Sequence, residues 1–159
     1  MTRLAITGHR GLPPDTLTRV DAALRLAIAE RADTGLTGVS CLADGPDSLF
    51  AQAILDAGGR LIAVVPAHGY RESLPATHHP VYDHLLAAAT EVIELDHTES
   101  NSRAHQAGSL RMLDLSDELL AVWDGKPARG YGGTADVVGA ARARGLPLTV
   151  IWPPGATRP

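Results

Sequence analysis

At 159 residues, 45% of them hydrophobic and 20% charged, the chain has the composition of one globular domain, residues 1–159, rather than of a disordered segment. A formal net charge of −4, with arginines scattered along the chain, argues against a nucleic-acid-binding surface, which needs a basic excess or stripe. The single cysteine, Cys41, excludes an internal disulfide and lies in an apolar run, so it reads as a small buried hydrophobe in a reducing compartment rather than as a nucleophile. The opening MTRLAITGHR lacks a long apolar stretch, and prolines, glycines or charges interrupt every apolar run. The expectation is a cytoplasmic protein with no membrane span.

Leu4-Ala5-Ile6-Thr7 predicts a first strand, ending in Gly8-His9-Arg10. Pro13 and Pro14 break the chain, Asp15 is placed to cap the next helix, and Leu17, Val20, Leu24, Ala27 and Ile28 recur at helical spacing. Gly35 precedes a second apolar run near residues 36–42. Gly45-Pro46 then opens a helix with Leu49, Phe50, Ala53, Ile54 and Ala57 on its apolar face. Gly58-Gly59 ends it, and residues 61–65 form a third strand bounded by Pro66. Residues 67–80 read as irregular, followed by a helix near 81–90, a strand near 91–95, a polar loop and a helix over 103–115. A strand through Leu119 to Trp123 runs into a glycine-rich loop, Gly130 to Thr134, which opens a helix over 134–144. A last strand over 148–152 precedes Pro153-Pro154-Gly155, which marks a frayed tail.

Short, continuously apolar strands alternating with amphipathic helices predict an α/β, three-layer Rossmann-like fold, a mainly parallel sheet with helices on both faces. Ligands of such sheets bind at the carboxyl ends of the strands. Four loops therefore converge: Gly8-His9-Arg10, Ala43 to Asp47, Pro66 to Arg71, and Asp124 to Thr134. In the last, Gly132, Gly133 and Thr134 present backbone amides and a hydroxyl at a helix start, which suits phosphate; the alternative is a tight turn and a cap. Gly8 allows a ligand to approach the first strand end, and Arg10 can pair with phosphate or form a surface salt bridge. His9 can stack on a base or exchange a proton. Asp44 and Asp47 flank Gly45-Pro46, one as a cap and the other free to hold a ribose hydroxyl. Asp124 closes a strand and is a further ligand candidate, Asp117 reads as structural, and Tyr70-Arg71 lies in a segment suited to closing over a ligand. The histidines, including adjacent His78 and His79, follow no zinc-ligand spacing and come with no cysteine pairs, so no metal site is expected.

These loops together resemble the SLOG superfamily, the Rossmann-like group that includes DNA-processing protein A and the LOG phosphoribohydrolases. ITGHR is similar to the family's strand followed by G-x-R. CLADGPDSLFAQAIL resembles its G-x-A-x-G-A-D-x-x-A opening at Ala43, Gly45, Asp47 and Ala51, and SDELLAVWDGKPARGYGGTAD resembles its strand and glycine loop. Tyr70-Arg71, Met112, Asp114, Ser116 and Asp117 agree with small bacterial members of unassigned function. The resemblance implies a nucleotide-derived ligand, AMP-like or ADP-ribose-like, and a homodimer. It also exposes a departure from the LOG signature P-G-G-x-G-T-x-x-E. Val137 stands where the catalytic Glu belongs, with Asp136 one residue earlier, and Gly108 stands at the catalytic Arg position. Asp136 points about 100° away from position 137 around a helix.

The reading is a domain that binds a nucleotide-derived ligand as sensor or carrier. Phosphate lies on Gly132, Gly133 and Thr134, Arg10 or Arg129 balances its charge, and Asp124, Asp47 or Asp44 contacts ribose. The rival is a hydrolase of a nucleotide's N-glycosidic or phosphate bond, with Asp136, Asp124 and His9 as the candidate catalytic groups.

Overall fold

The computed structural model describes residues 2–31 and 35–159. Among them, six strands form one sheet: β1 (Thr2–Gly8), β2 (Leu36–Ser40), β3 (Arg60–Val65), β4 (Glu91–Glu94), β5 (Glu118–Val122) and β6 (Leu148–Ile151). Every neighbouring pair is parallel, in the order β4-β3-β2-β1-β5-β6. The helices are α1 (Pro14–Ala29), α2 (Pro46–Asp56), α3 (Tyr70–Ser73), α4 (His79–Ala88), α5 (Ser102–Asp114) and α6 (Thr134–Ala143).

Side chains alternate across a strand, and the core divides accordingly. Leu4, Ile6, Leu120 and Val122 pack in one cluster with Val20, Leu24 and Ile28 of α1 and Phe50, Ala53 and Ile54 of α2. The intervening Ala5 and Leu119 join the other cluster, with Met112 and Leu113 of α5 and Val137 and Ala141 of α6. Both faces are thus covered, which is why the strands read as unbroken apolar runs. From β1 the chain steps outward to β4, then returns through α5 to lay β5 on the free side of β1. This reversal opens a crevice at the carboxyl ends of β1 and β5.

Several local expectations are corrected. Pro13, in extended conformation, occupies the N-cap of α1, so Asp15 already lies inside the first turn, where its charge meets the helix dipole without a capping hydrogen bond. Ala57 is an exposed C-cap rather than part of the apolar face of α2, because the helix ends at Asp56 ahead of Gly58, whose φ is +79°. Residues 67–80 are not irregular throughout: they hold α3, a 3-10 turn (Ala76–His78) and the start of α4, whose first turn accommodates Pro80. The tail is not frayed. Arg19 Nη2 donates to the Pro154 carbonyl at 2.6 Å, Trp152 Nε1 to the Ala156 carbonyl at 3.1 Å, and Arg129 to the carbonyls of Arg158 and Pro159. No helix among the described residues is long and apolar enough to cross a membrane.

The seat of α2 on the sheet depends on Gly38 of β2. A Cβ there would lie 2.6 Å from Ile54 Cγ1 and 2.9 Å from Phe50 Cε2. Gly38→Ala is expected to destabilise the fold by about 1–3 kcal/mol in urea unfolding; an unchanged midpoint would mean that α2 lifts from the sheet at little cost.

Candidate functional site

A cavity of about 290 Å³ opens at the carboxyl edge of the sheet, at the small end of the range for ligand sites. The exit of β1 contributes Ile6 to Arg10, and the exit of β2 contributes Cys41 and Ala43, with Asp47 from α2. The exit of β3 adds Pro66 and Tyr70, α5 adds His105, Ser109 and Met112, and the entry to α6 adds Gly132, Gly133 and Thr134. Arg158 reaches in from the tail. Of the expected ligand residues, Gly8, His9, Arg10, Asp47, Gly132, Gly133 and Thr134 line this one cavity, whereas Asp44, Gly45, Asp124 and the catalytic candidate Asp136 lie outside its lining.

The glycine loop is closed by its own helix. Gly132, with φ of +84°, donates its N–H to Asp136 Oδ2 at 2.8 Å. A Cβ at Gly132 would come within 2.9 Å of the Ser102 carbonyl, so the loop lies tight against the start of α5. Asp136 therefore acts as a latch on the loop instead of facing a ligand. Gly133 is the N-cap of α6 and Thr134 its buried first residue. Among the described residues the amides of Gly133, Thr134 and Ala135 and the Thr134 hydroxyl have no hydrogen-bond partner. They are the orphan donors of a helix start, set beside the cavity.

His9 and Asp124 form a pair across the β1 and β5 exits. His9 Nε2 lies 3.1 Å from Asp124 Oδ1, both side chains are nearly fully buried, and the edge of the His9 ring meets Trp152. Burial lowers the His9 pKa, Arg158 pushes the same way, and Asp124 only partly offsets them. Burial opposes ionisation of Asp124, but the Lys126 amide and His9 together hold its carboxyl below its ordinary value. The Asp124 backbone N–H also donates to His9 Nε2 at 3.2 Å, so one ring nitrogen faces both the amide and the carboxylate of Asp124, and the tautomer decides which contact it makes. Asp124 is thus engaged with His9 and lies outside the cavity lining.

Arg10 pairs with Asp44 at 2.6 Å on the exposed rim, so the salt bridge expected as its alternative role is formed. Asp44 makes no cap: the N-cap of α2 is Gly45, whose φ of +91° is a left-handed conformation that favours glycine. A Cβ on Gly8 would lie 2.6 Å from that of Pro46, so Gly8 admits the start of α2 as well as lining the cavity. Asp47 faces inward, and burial raises its pKa to about 7 against the opposing Ala43 amide and Arg10. The β2–α2 loop is fixed by a buried network in which Ser48 Oγ donates to the Ala43 carbonyl at 2.6 Å and His78 Nε2 lies 2.9 Å from the Leu42 carbonyl.

Tyr70 is buried against Tyr82 and His105, while Arg71 is bound by Asp83 at 2.7 Å. This helical turn is pinned in place and does not form the lid expected from Tyr70-Arg71. Asp117 accepts from the Arg3 amide and donates to its carbonyl, a structural role beside β1. Arg129 is spent on tail carbonyls rather than facing phosphate. Val137 is core, and a Cβ on Gly108 would lie 2.9 Å from Pro66 Cγ, so packing occupies both positions where the LOG signature carries catalytic groups. His79 bonds the Leu74 carbonyl, and no group of three or more metal-ligating side chains occurs among the described residues.

Two sets of lining residues escaped the sequence reading. His105, Ser109 and Met112 share one face of α5 at i, i+4 and i+7, a spacing legible in the sequence. Arg158 sits in a proline-rich tail with no local signal.

No family model matches the chain, and no curated protein does. Among solved structures, DNA processing protein A from Helicobacter pylori, described for its single-stranded DNA binding mode, matches with a TM-score of 0.70 at 20% identity, covering 98% of this chain and 68% of that one. DNA processing protein A from Streptococcus pneumoniae matches with a TM-score of 0.68 at 18% identity over 98% of this chain, which spans about half (51%) of that protein. The molybdenum cofactor binding protein of Rippkaea orientalis matches with a TM-score of 0.61 at 16% identity, covering 96% and 77%.

The raised pKa of Asp47 has a consequence for stability. The folded state binds a proton at Asp47 up to about pH 7, whereas the unfolded chain releases it near 3.8. Stability from this group is therefore full in acid, falls between these values and stays reduced above them, by on the order of 4 kcal/mol. Asp47→Asn is expected to gain on the parent as pH rises from 5 to 8 in urea unfolding. A difference that does not change with pH would remove the proton-binding role of this half-buried carboxyl.

Proposed function

We propose, on the premise of the SLOG-type Rossmann-like fold shared with these structures, that the protein binds a phosphorylated, nucleotide-derived ligand as a sensor or carrier. The observation that carries this reading is the set of unpaired donors at the start of α6. The amides of Gly133 and Thr134 and the Thr134 hydroxyl border a cavity that is also lined by Pro66, Tyr70 and Met112. Helix N-termini of this kind receive phosphate, and an apolar slot receives a flat heterocycle. The Gly132 amide is left out of this role because Asp136 takes it. Asp47 is the carboxyl placed to accept from ribose or from the heterocycle edge, and Arg10 stands at the rim. The cavity's volume favours an AMP-sized occupant over a dinucleotide.

A hydrolase rests on the His9–Asp124 pair, a buried imidazole held beside a carboxylate. It lacks a partner carboxylate: Asp136 is bonded to its own loop, and position 137 is a core valine. Nucleic acid is disfavoured by the net charge of −4 and by arginines already engaged with carboxylates, Arg25 with Asp21 and Asp56, Arg71 with Asp83, and Arg144 with Asp114. A homodimer is proposed on resemblance to LOG proteins.

AMP or ADP-ribose is expected to raise the melting temperature without being consumed, by the equivalent of about 2.7 kcal/mol at a hundredfold excess over Kd. Thr134→Val is expected to weaken that binding by about tenfold, the worth of one hydrogen bond to a charged group. No shift across a nucleotide panel would reject the reading, and release of free base or ribose 5-phosphate would favour the hydrolase. Light scattering should give twice the 16.7 kDa chain mass; a monomer at micromolar concentration rejects the dimer.

A further inference from the structure

The residues after β6 run along the edge where the cavity opens, because a parallel sheet brings the carboxyl ends of all its strands to one side. They are anchored there from three places. Arg19 of α1 holds the Pro154 carbonyl, Trp152 holds the Ala156 carbonyl, and Arg129 of the β5–α6 loop holds the carbonyls of Arg158 and Pro159. These anchors grip main chain, so they fix the path of the segment and leave its side chains free. Arg158 is thereby set into the cavity lining that also contains His9 and Thr134. Among the described residues its guanidinium has no hydrogen bond or ion pair, unlike Arg10, which Asp44 neutralises. Its charge is felt by both His9 and Asp124. In the same lining, the hydroxyl of Thr134 is also without a hydrogen-bond partner among the described residues.

We infer that Arg158 is a ligand-binding residue, held at the cavity by the C-terminal strap to grip the same phosphate that the α6 amides and the Thr134 hydroxyl receive. This rests on the nucleotide reading above. It also answers a deficit in the fold. Position 108 on α5, where the LOG signature carries an arginine, has no room beside Pro66, and the strap supplies a cation from a different part of the chain. A guanidinium suits this task because its fork of donors matches phosphate oxygens in pairs. Arg129 is a positioning residue in this scheme. It touches no ligand but holds the carbonyl of Arg158 itself.

Isothermal titration of the full chain with AMP and with adenosine tests the assignment. Arg158→Gln is expected to weaken AMP by about 10- to 100-fold, the worth of a charged hydrogen-bonded contact, and to leave adenosine unchanged. Arg158→Lys should recover part of the loss, since it restores charge without the fork. Arg129→Gln should weaken AMP to a smaller degree with adenosine again unaffected, and the AMP affinity of Arg158→Gln should depend less steeply on salt than that of the parent. The melting midpoint of unliganded Arg158→Gln should match the parent, because the side chain bonds nothing in the free protein. If Arg158→Gln binds AMP within about twofold of the parent while Thr134→Val does not, the strap assignment fails and the nucleotide site stands. If the parent binds neither AMP nor ADP-ribose nor inorganic phosphate, both fail.

Discussion

The parallel pairing of β5 along β1, in register from Leu4 with Glu118 to Gly8 with Val122, sends the chain to opposite sides of one shared strand. The loop leaving β1 turns toward α1 and the loop leaving β5 turns toward α6, so no connection fills the gap between them. The His9–Asp124 pair spans that gap, the glycine loop borders it, and the start of α2 closes in over Gly8. The polar groups of the site are thus set by backbone pairing, and their side chains need little freedom of their own.

Much of this was legible in the sequence because it follows from period and punctuation. The strands announce themselves as short apolar runs, and Gly45-Pro46 and Gly133-Thr134 mark helix starts that the structure places as read. The loops that meet at the carboxyl edge follow from the α/β alternation. What was not legible is partner choice among polar side chains. Nothing local distinguishes Asp44, which goes to Arg10, from Asp47, which faces inward, although they are three residues apart. The same holds for Arg129 and Arg158, whose roles depend on where a proline-rich tail crosses the sheet edge. Asp15 was misplaced by two positions and Ala57 by one, which is the margin within which prolines and glycines shift a helix end.

The β2–α2 loop shows how such a site is kept rigid by hydrogen bonds to its main chain. Leu42 has φ of +61°, uncommon for a branched side chain, and its main chain is held on both sides: its amide donates to Ser40 Oγ at 3.0 Å, and its carbonyl accepts from His78 and Ser48. A histidine that invited a metal reading is in fact a structural donor. Burying this network fully satisfied makes the loop that carries Asp47 part of the core, so the inward carboxyl is presented by a fixed frame.

The contact between Gly108 and Pro66 bears on how this chain can change over time. With α5 lying so close to the exit of β3 that even a methyl group would collide, no single replacement at position 108 installs a long cationic side chain there. Installing one would first require α5 to move outward, and that step brings no benefit by itself while it loosens the wall holding His105, Ser109 and Met112. A cation at position 108 is therefore closed to stepwise substitution, whereas new cations remain accessible at the exposed positions of the strap.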